Sequence, residues 1–289
     1  MDVRFLSAGL GCCLLAALQY FYITPRLERI PSDYTSEASF NATTRARDNA
    51  VAPWTESTMV ARRVDQMLVT SAAHGILQGD IHWTNAAGQV QFESSAVFGV
   101  DRYTRENLPG YGDTVRHGAF LFPLHTQAKN YRYWDPQFIG NCDAVFLRAE
   151  RIGPMTVFVF SFTAKALDET AGYAHLPDVP GRYRVLTNAE GTLWIEPTSG
   201  IVVDYREEGV SFLVAAPGDQ RVANIYEWKG RYTPQTKASR LQQAQAERIR
   251  VNVLEIWLPA ALLGAGATAL LLGWRRRTRG KPLAAPVQT

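Results

Sequence analysis

The segment "LWIEPTSGIVVDY", residues 193–205, decides the fold class of this chain. Apolar side chains occupy every second position on either side of its central "PTSG": Leu193, Ile195, Ile201 and Val203. Alternation with a period of two is typical of a β-strand with one buried face. The tetrapeptide suits a tight turn, because Pro has a fixed φ and Gly tolerates a positive φ. The segment therefore predicts an antiparallel β-hairpin.

Two carboxylates, Glu196 and Asp204, flank the turn and raise a second interpretation. Carboxyl groups on adjacent strands can act as a general acid and a general base, and they can equally be solvated side chains of a hairpin. Alternation places both on the face opposite the apolar residues. We therefore interpret Glu196 and Asp204 as the outward face of the hairpin and not as a catalytic pair.

Short β-prone runs separated by turn-forming residues continue along the chain. The runs lie at 59–70, 77–84, 89–101, 130–134, 144–150, 155–163, 182–187, 192–196, 201–206, 209–215 and 221–228. Turns are predicted at "NAAG" (85–88), "RYTR" (102–105), "NAEG" (188–191), "PTSG" (197–200) and "APGD" (216–219). Residues 164–181 are predicted to be a long loop with one helical turn. This pattern predicts a mainly β domain of antiparallel, hairpin-rich sheets over residues 24–233.

Two uncharged segments, 5–23 and 256–274, are predicted to be transmembrane helices. Each is about 19 residues long, which covers the hydrocarbon core of a bilayer as a helix. Their terminal Tyr and Trp residues fit the aromatic belts at the membrane surface. The first segment has an alternative interpretation as a cleaved signal or a lipoprotein signal, but no clean processing site follows it. We interpret it as an uncleaved anchor.

The basic run "RRRTRGK" after the second span sets the orientation, because positively charged flanks stay in the cytoplasm. With two spans, residues 1–4 and the basic tail 275–289 then lie inside, and residues 24–233 form an extracytoplasmic domain. Residues 234–255 are predicted to be a polar, solvated stalk helix before the second span. Thr233 suits its N-cap and Pro234 its first position.

The charge distribution argues against a nucleic-acid partner. Six of the 30 basic and two of the 27 acidic residues lie outside residues 24–253, which leaves that segment with 24 basic and 25 acidic side chains. A nucleic-acid-binding domain would carry an excess of basic residues. The same segment holds a single cysteine, Cys142, so no intramolecular disulfide can close within it.

Motifs for catalysis or cofactor binding are not recognisable in the sequence. The five histidines show no metal-ligand spacing. The sequence has neither a Gly-x-Ser-x-Gly nucleophile elbow nor a phosphate-binding glycine loop. Adjacent acids such as Glu207 and Glu208 lie near predicted turns, where solvated carboxylates are ordinary. We therefore predict a protein that is not an enzyme, with no catalytic residue, cofactor or metal ligand.

Aromatic residues in "NYRYWDPQF" (130–138) are the one candidate binding feature. Tyr131, Tyr133 and Trp134 could form a platform that contacts a lipid or a glycan. The same side chains could instead pack in the core of the β domain, because aromatic residues bury large apolar surfaces. The sequence leaves both interpretations open.

Three segments carry a family resemblance: "VFGVDRYTRENLPG" (97–110), "FPLHTQAKNYRYWDPQF" (122–138) and "GTLWIEPTSGIVVDYRE" (191–207). They resemble bacterial two-span membrane proteins of unknown function, found especially in actinobacteria, that are labelled PorA-type porins. The order of anchor, β-rich exterior, polar helix and second span is similar as well. The resemblance implies a membrane protein of this architecture, and it implies no catalytic residues.

The leading hypothesis is a non-enzymatic bacterial plasma-membrane protein, with both termini in the cytoplasm and a β-rich exterior domain that has a role in the cell envelope. A second hypothesis is a channel formed by self-association, although the spans offer few amide or hydroxyl side chains for a lumen apart from tyrosines: Ser7, Gln19 and Thr268. A third is binding of an envelope lipid or glycan by the exterior domain. The bilayer itself is a partner in all three.

Overall fold

The computed structural model of the protein describes residues 3–135, 140–218 and 220–279. The last part of the predicted tail, residues 280–289, lies outside the described residues. Contacts divide the chain into two compact units. One unit combines the two ends of the chain, up to Arg29 and from Glu247, and the other runs from Ile30 to Ala246.

Helices form the unit made of the chain ends, and one helix, the third along the chain, begins in the other unit. Their bounds are α1 Val3–Leu18, α2 Thr24–Glu28, α3 Pro234–Asn252 and α4 Leu258–Arg279. A single π-helical turn joins α1 to α2 at Gln19–Ile23, and another joins α3 to α4 at Val253–Trp257. Two helical stretches, Arg4–Glu28 and Pro234–Arg276, are long and apolar enough to cross a membrane.

Small residues bring α1 and α4 together. A methyl group on Gly266 would lie 3.1 Å from the Cβ of Cys12 and 3.1 Å from the carbonyl oxygen of Gly9. The sequence suggests Gly264 and Thr268 for such a contact, but nothing lies within 4 Å of a Cβ at Gly264. The hydroxyl of Thr268 instead donates a hydrogen bond to the Gly264 carbonyl within the same helix.

The second unit is an antiparallel β domain, which confirms the predicted fold class. Its strands are β1 Thr35–Ala46, β2 Thr55–Thr70, β3 His74–Asn85, β4 Val90–Asp101, β5 Asn107–Gly112, β6 Tyr131–Asp135, β7 Gly140–Ile152, β8 Met155–Asp168, β9 Tyr183–Glu196, β10 Ile201–Ala215 and β11 Arg221–Tyr232. They form one sheet in the order β5-β4-β3-β2-β1-β11-β10-β9-β8-β7-β6. The first and last strands are therefore neighbours in its middle.

Residues 118 and 119 join the two ends of the sheet. The Asn107 amide of β5 donates to the carbonyl of Gly118 at 2.8 Å. The Ala119 amide donates to Arg132, and the Trp134 amide of β6 donates back to Ala119, at 2.9 and 3.2 Å. These hydrogen bonds complete a circuit around the domain, so the sheet curls into a barrel-like structure with an inner and an outer face.

Aromatic side chains fill the interior of the circuit. Phe122 packs against Phe160 and Tyr133, with ring centroids 5.5 Å apart in both pairs. Phe162 then lies 6.1 Å from Tyr133 and 5.9 Å from Tyr205. Dense packing of this kind is typical of a protein core and leaves no open lumen along this stack.

Two predicted boundaries within the sheet are wrong. Candidates 182–187 and 192–196 belong to one strand, β9, and candidates 201–206 and 209–215 belong to β10. "NAEG" (188–191) is not a turn, because its alternate residues face the interior, where a Cβ on Gly191 would meet the Phe162 ring at 2.2 Å. Strands β1 and β5 were not predicted, and β8 extends to Asp168 before a 3-10 turn at Thr170–Tyr173.

Helix α3 begins where the sequence predicts. The Thr236 amide donates to the hydroxyl of Thr233 at 3.1 Å, which is the expected N-cap, and Pro234 follows as the first helical residue. The stalk prediction supposed a helix that is solvated on every side. The structure instead buries one side of α3 against the sheet. The buried Ala244 packs in a cluster with apolar residues of β8 and β10: Met155, Val157 and Val203.

Candidate functional site

The hairpin of residues 193–205 forms as predicted, but Glu196 does not face solvent. Its side chain is 2% exposed, and its carboxylate accepts a hydrogen bond of 2.7 Å from the Ser199 amide inside the turn. Asp204 forms an ion pair with Lys237 of α3. A register shift between Val202 and Asp204 interrupts the simple alternation. Each acid therefore has its own structural partner, and the two do not form an acid–base pair.

The three aromatic residues singled out in the sequence do not share one surface. Tyr133 is 5% exposed and belongs to the interior cluster, and the half-buried Tyr131 packs against Phe122 in the same cluster. Trp134 packs against a separate apolar cluster and lies under the guanidinium of Arg116. The two tyrosines are therefore part of the core.

The interior contains an acidic pair that was not predicted from the sequence. Asp135 on β6 and Glu207 on β10 are 1% and 4% exposed. The hydroxyl of Tyr205 lies 2.9 Å from a carboxylate oxygen of each. A tyrosine hydroxyl has one hydrogen and cannot donate to two carboxylates at once. A proton on one of the two carboxyl groups would provide the second hydrogen bond.

The pKa of Glu207 agrees with this arrangement. Burial, and after it the neighbouring Asp135, raise the pKa of the Glu207 carboxyl to about 8. Like charges in a shared buried site oppose ionisation of both groups. The interior therefore holds a proton near neutral pH. A sequence signal did exist, because Tyr133 and Tyr205 each precede their acid by two residues, which places them on the same strand face.

Cys142 is also an interior residue and not a reactive thiol. It is 7% exposed, and burial together with Asp135 raises its pKa to about 12. The thiolate is the nucleophilic form of cysteine, so the side chain is inert near neutral pH. In the described ranges 3–135, 140–218 and 220–279, no group of three His, Cys, Asp or Glu side chains is placed to hold a metal ion.

A polar groove on the outer face is the candidate binding site. It comprises two adjoining depressions of about 870 and 920 Å³ over β1, β2 and β8–β11. Strand register places one row of outward side chains along its centre: Thr58, Thr43, Lys229, Glu208, Glu190 and Thr163. Their alternation with interior residues puts all six on the same face.

A second row lies beside the first, two residues along each strand. It consists of Asn41, Arg231, Arg206, Thr192 and Ser161. These side chains offer hydroxyl, amide and guanidinium groups and no large apolar surface. The groove therefore presents a dense array of hydrogen-bond donors and acceptors.

Electrostatics differ between the two rows. In the central row, Lys229 lies 2.7 Å from Glu208, and this hydrogen bond holds the pKa of the Glu208 carboxyl below its usual range. In the second row, Arg206 and Arg231 face each other across β10 and β11. Both are exposed, and in the part of the chain that the structure describes neither forms a salt bridge.

Comparisons with known proteins identify a family for the chain. A family model described as Porin PorA matches residues 3–275. No curated protein matches the sequence. Among solved structures, a putative oleoyl thioesterase from Lactobacillus plantarum is similar at 8% identity over 68% of this chain and 76% of that chain, with a TM-score of 0.14. A TM-score of that size carries no argument about fold or function.

Proposed function

Since the chain belongs to the PorA porin family, we propose that it is a non-enzymatic bacterial plasma-membrane protein whose exterior β domain binds a hydroxyl-rich envelope molecule in the outer groove. Family membership and the two apolar helices indicate a membrane protein. The proposed topology places both termini in the cytoplasm and residues 24–233 outside, because the basic flank follows the second span.

The observation that carries this proposal is the polar groove itself. Six neighbouring strands contribute its central row, and the side chains there are hydroxyl or charged groups. Glycans and polar lipid headgroups are recognised by such arrays of donors and acceptors. A rigid sheet also holds these groups in fixed positions, which reduces the entropy lost on binding.

Blocking the groove tests the binding function. We expect Thr163→Trp to fill the centre of the groove and to weaken binding of purified oligosaccharides, such as maltohexaose and hexagalacturonate, at least tenfold. Isothermal titration of the full chain in detergent micelles measures this affinity. Thr156→Trp, an exposed position on the same strand outside the groove, is the matched control. Failure of every oligosaccharide to bind, or equal binding by the blocked variant, contradicts the proposal.

Protease treatment of intact spheroplasts tests the topology. We expect cleavage of the domain between the spans and protection of a tag placed after residue 289. Protection of that domain in intact cells, with cleavage only after lysis, would overturn the proposed orientation.

The family description favours a channel as a second candidate function. The aromatic stack in the interior of the sheet argues that a pore would form between copies of the chain and not through one domain. Planar-bilayer recordings test this candidate. A purified oligomer that raises conductance would support it, and one that never does so would count against it.

A further inference from the structure

We propose that Arg206 and Arg231 form an anion site within the groove and that the ligand carries a phosphate group on a polyhydroxylated body. This inference rests on the proposed binding function and specifies the chemistry of the ligand. It begins with an unfavourable feature of the fold. The two arginines are direct partners in the β10–β11 register, and like charges opposite each other destabilise a sheet.

Nearby acids form no salt bridge with either arginine in the described part of the chain. Asp204, two residues before Arg206 on β10, is paired with Lys237. Glu208, two residues after it, is paired with Lys229 at 2.7 Å. The intervening Glu207 points into the interior and is 4% exposed. Arg206 does help to lower the pKa of the Glu208 carboxyl through space. Because neither arginine is held in a salt bridge among the described residues, both guanidinium groups can still bind an anion.

The surroundings of the pair suit an oxyanion with hydroxyl groups attached. The guanidinium carbon of Arg206 lies 5.5 Å from the centroid of the Trp194 ring, which supports it from one side. Neutral groups continue the row on both flanks: Asn41, Thr192 and Ser161. Guanidinium groups bind phosphate through two parallel N–H donors each, and amide and hydroxyl side chains hydrogen-bond the hydroxyls of a sugar or polyol.

Titration with defined phosphates tests the inference on the full chain in detergent micelles. We expect glucose 1-phosphate to bind at least tenfold more tightly than glucose. The double variant R206Q/R231Q should lose at least tenfold in affinity for glucose 1-phosphate, whereas R148Q, which removes an arginine of β7 outside the groove, should bind as the wild type does. Affinity should also fall as salt is raised, because the contact is ionic.

A second measurement guards against misfolding of the variant. Without ligand, R206Q/R231Q should unfold at the same temperature as the wild type or higher, because the like-charge contact is gone. Glucose 1-phosphate should raise the unfolding temperature of the wild type and leave that of the double variant unchanged. Equal binding of glucose and glucose 1-phosphate, or unchanged phosphate binding by the double variant, overturns the inference.

The test also separates its possible failures and the sources of the phosphate. Binding of the oligosaccharides without any preference for phosphate would refute the anion site and leave the proposed function intact, whereas failure of all ligands would refute both. Short-chain dihexanoylphosphatidylinositol distinguishes the sources. Tighter binding of this lipid than of glucose 1-phosphate identifies a lipid headgroup, and equal or weaker binding identifies a soluble phosphorylated glycan.

Discussion

Glu207 and Glu208 are successive residues of β10, yet they belong to two different environments. Burial and Asp135 raise the pKa of Glu207 to about 8, whereas the hydrogen bond from Lys229 lowers the pKa of Glu208. The interior face of these strands is closely packed, and the outer face is an open polar groove. The comparison shows that the two faces of the same strands differ in environment: one packs into the core of the domain, and the other carries the polar side chains of the groove.

A substitution within the interior aromatic stack should cause the largest loss of stability. Phe162 is 1% exposed, and removing its ring in Phe162→Ala leaves a cavity, which is expected to cost about 3–5 kcal/mol. Urea unfolding of the full chain in detergent, followed by tryptophan fluorescence, measures this loss. The neighbouring exposed residue provides the control, and Thr163→Ala should change stability by less than about 0.5 kcal/mol. Similar losses in both variants would erase the distinction between the faces.

Disturbing the close packing behind the groove should cause the next largest loss of stability. A Cβ on Gly209 would lie 2.1 Å from the Trp228 ring, so Gly209→Ala must displace a buried indole. Overpacking of this kind costs about 1–3 kcal/mol. Gly172→Ala is the matched control, because nothing lies within 4 Å of a Cβ there. Denaturation midpoints of the two variants give the comparison, and a neutral Gly209→Ala would show that the interior can yield.

The buried proton predicts how stability depends on pH. Folded Glu207 keeps its proton up to about pH 8, but an unfolded glutamate loses it near its ordinary pKa. Between these two values the folded state binds more protons than the unfolded state. Stability therefore falls as pH rises, by at most ~1.4 kcal/mol per pH unit, and this loss is complete above the folded pKa.

Isosteric variants isolate that effect. Glu207→Gln keeps the shape of the protonated acid, so the unfolding midpoint should lose this dependence on pH. Glu208→Gln should retain it, because Glu208 has its pKa shifted in the opposite direction. Unfolding midpoints of the wild type and both variants, measured at several pH values below 8, show whether Glu207 causes the pH dependence. The same slope in wild type and Glu207→Gln would exclude Glu207 as its origin.

Removing the ion pair between α3 and the outer face should cause the smallest loss of stability. Lys237 pairs with Asp204, but the lysine side chain is 40% exposed and solvent screens the pair. Lys237→Ala should therefore destabilise the domain by about 1 kcal/mol or less. Ala244→Asp, which places a charge in the buried contact of the same helix, should cost clearly more. A larger loss in Lys237→Ala than in Ala244→Asp would show that charge, and not packing, fixes the helix to the sheet.

Local patterns predicted the features that depend on neighbouring residues. The hairpin at 193–205, the N-cap at Thr233 and the turn at 85–88 all follow from residue types a few positions apart. The false turn at 188–191 has the composition of a turn. The prediction was wrong because Gly191 lies within β9, where its missing side chain leaves room for the Phe162 ring.

Features that depend on distant residues were not predictable from one sequence. Asp135 and Glu207 meet only because β6 and β10 face a common interior, and no local signal places those strands around it. Closure of the sheet through Gly118 and Ala119 is of the same kind, since it rests on three backbone hydrogen bonds in an irregular segment. The groove is also a product of register, because its central row takes one residue from each of six strands.

The pairing of β1 with β11 has a consequence for biogenesis. These strands are the first and the last of the domain to be synthesised, and they pair from Phe40 with Tyr232 to Ala46 with Tyr226. Until β11 emerges, β1 and β10 each present an unpaired edge, and such edges are prone to aggregation. The sheet circuit therefore closes only after translation has passed residue 232. During synthesis the nascent domain needs protection from aggregation for almost its entire length, and a premature stop before β11 would leave two halves without the strand that joins them.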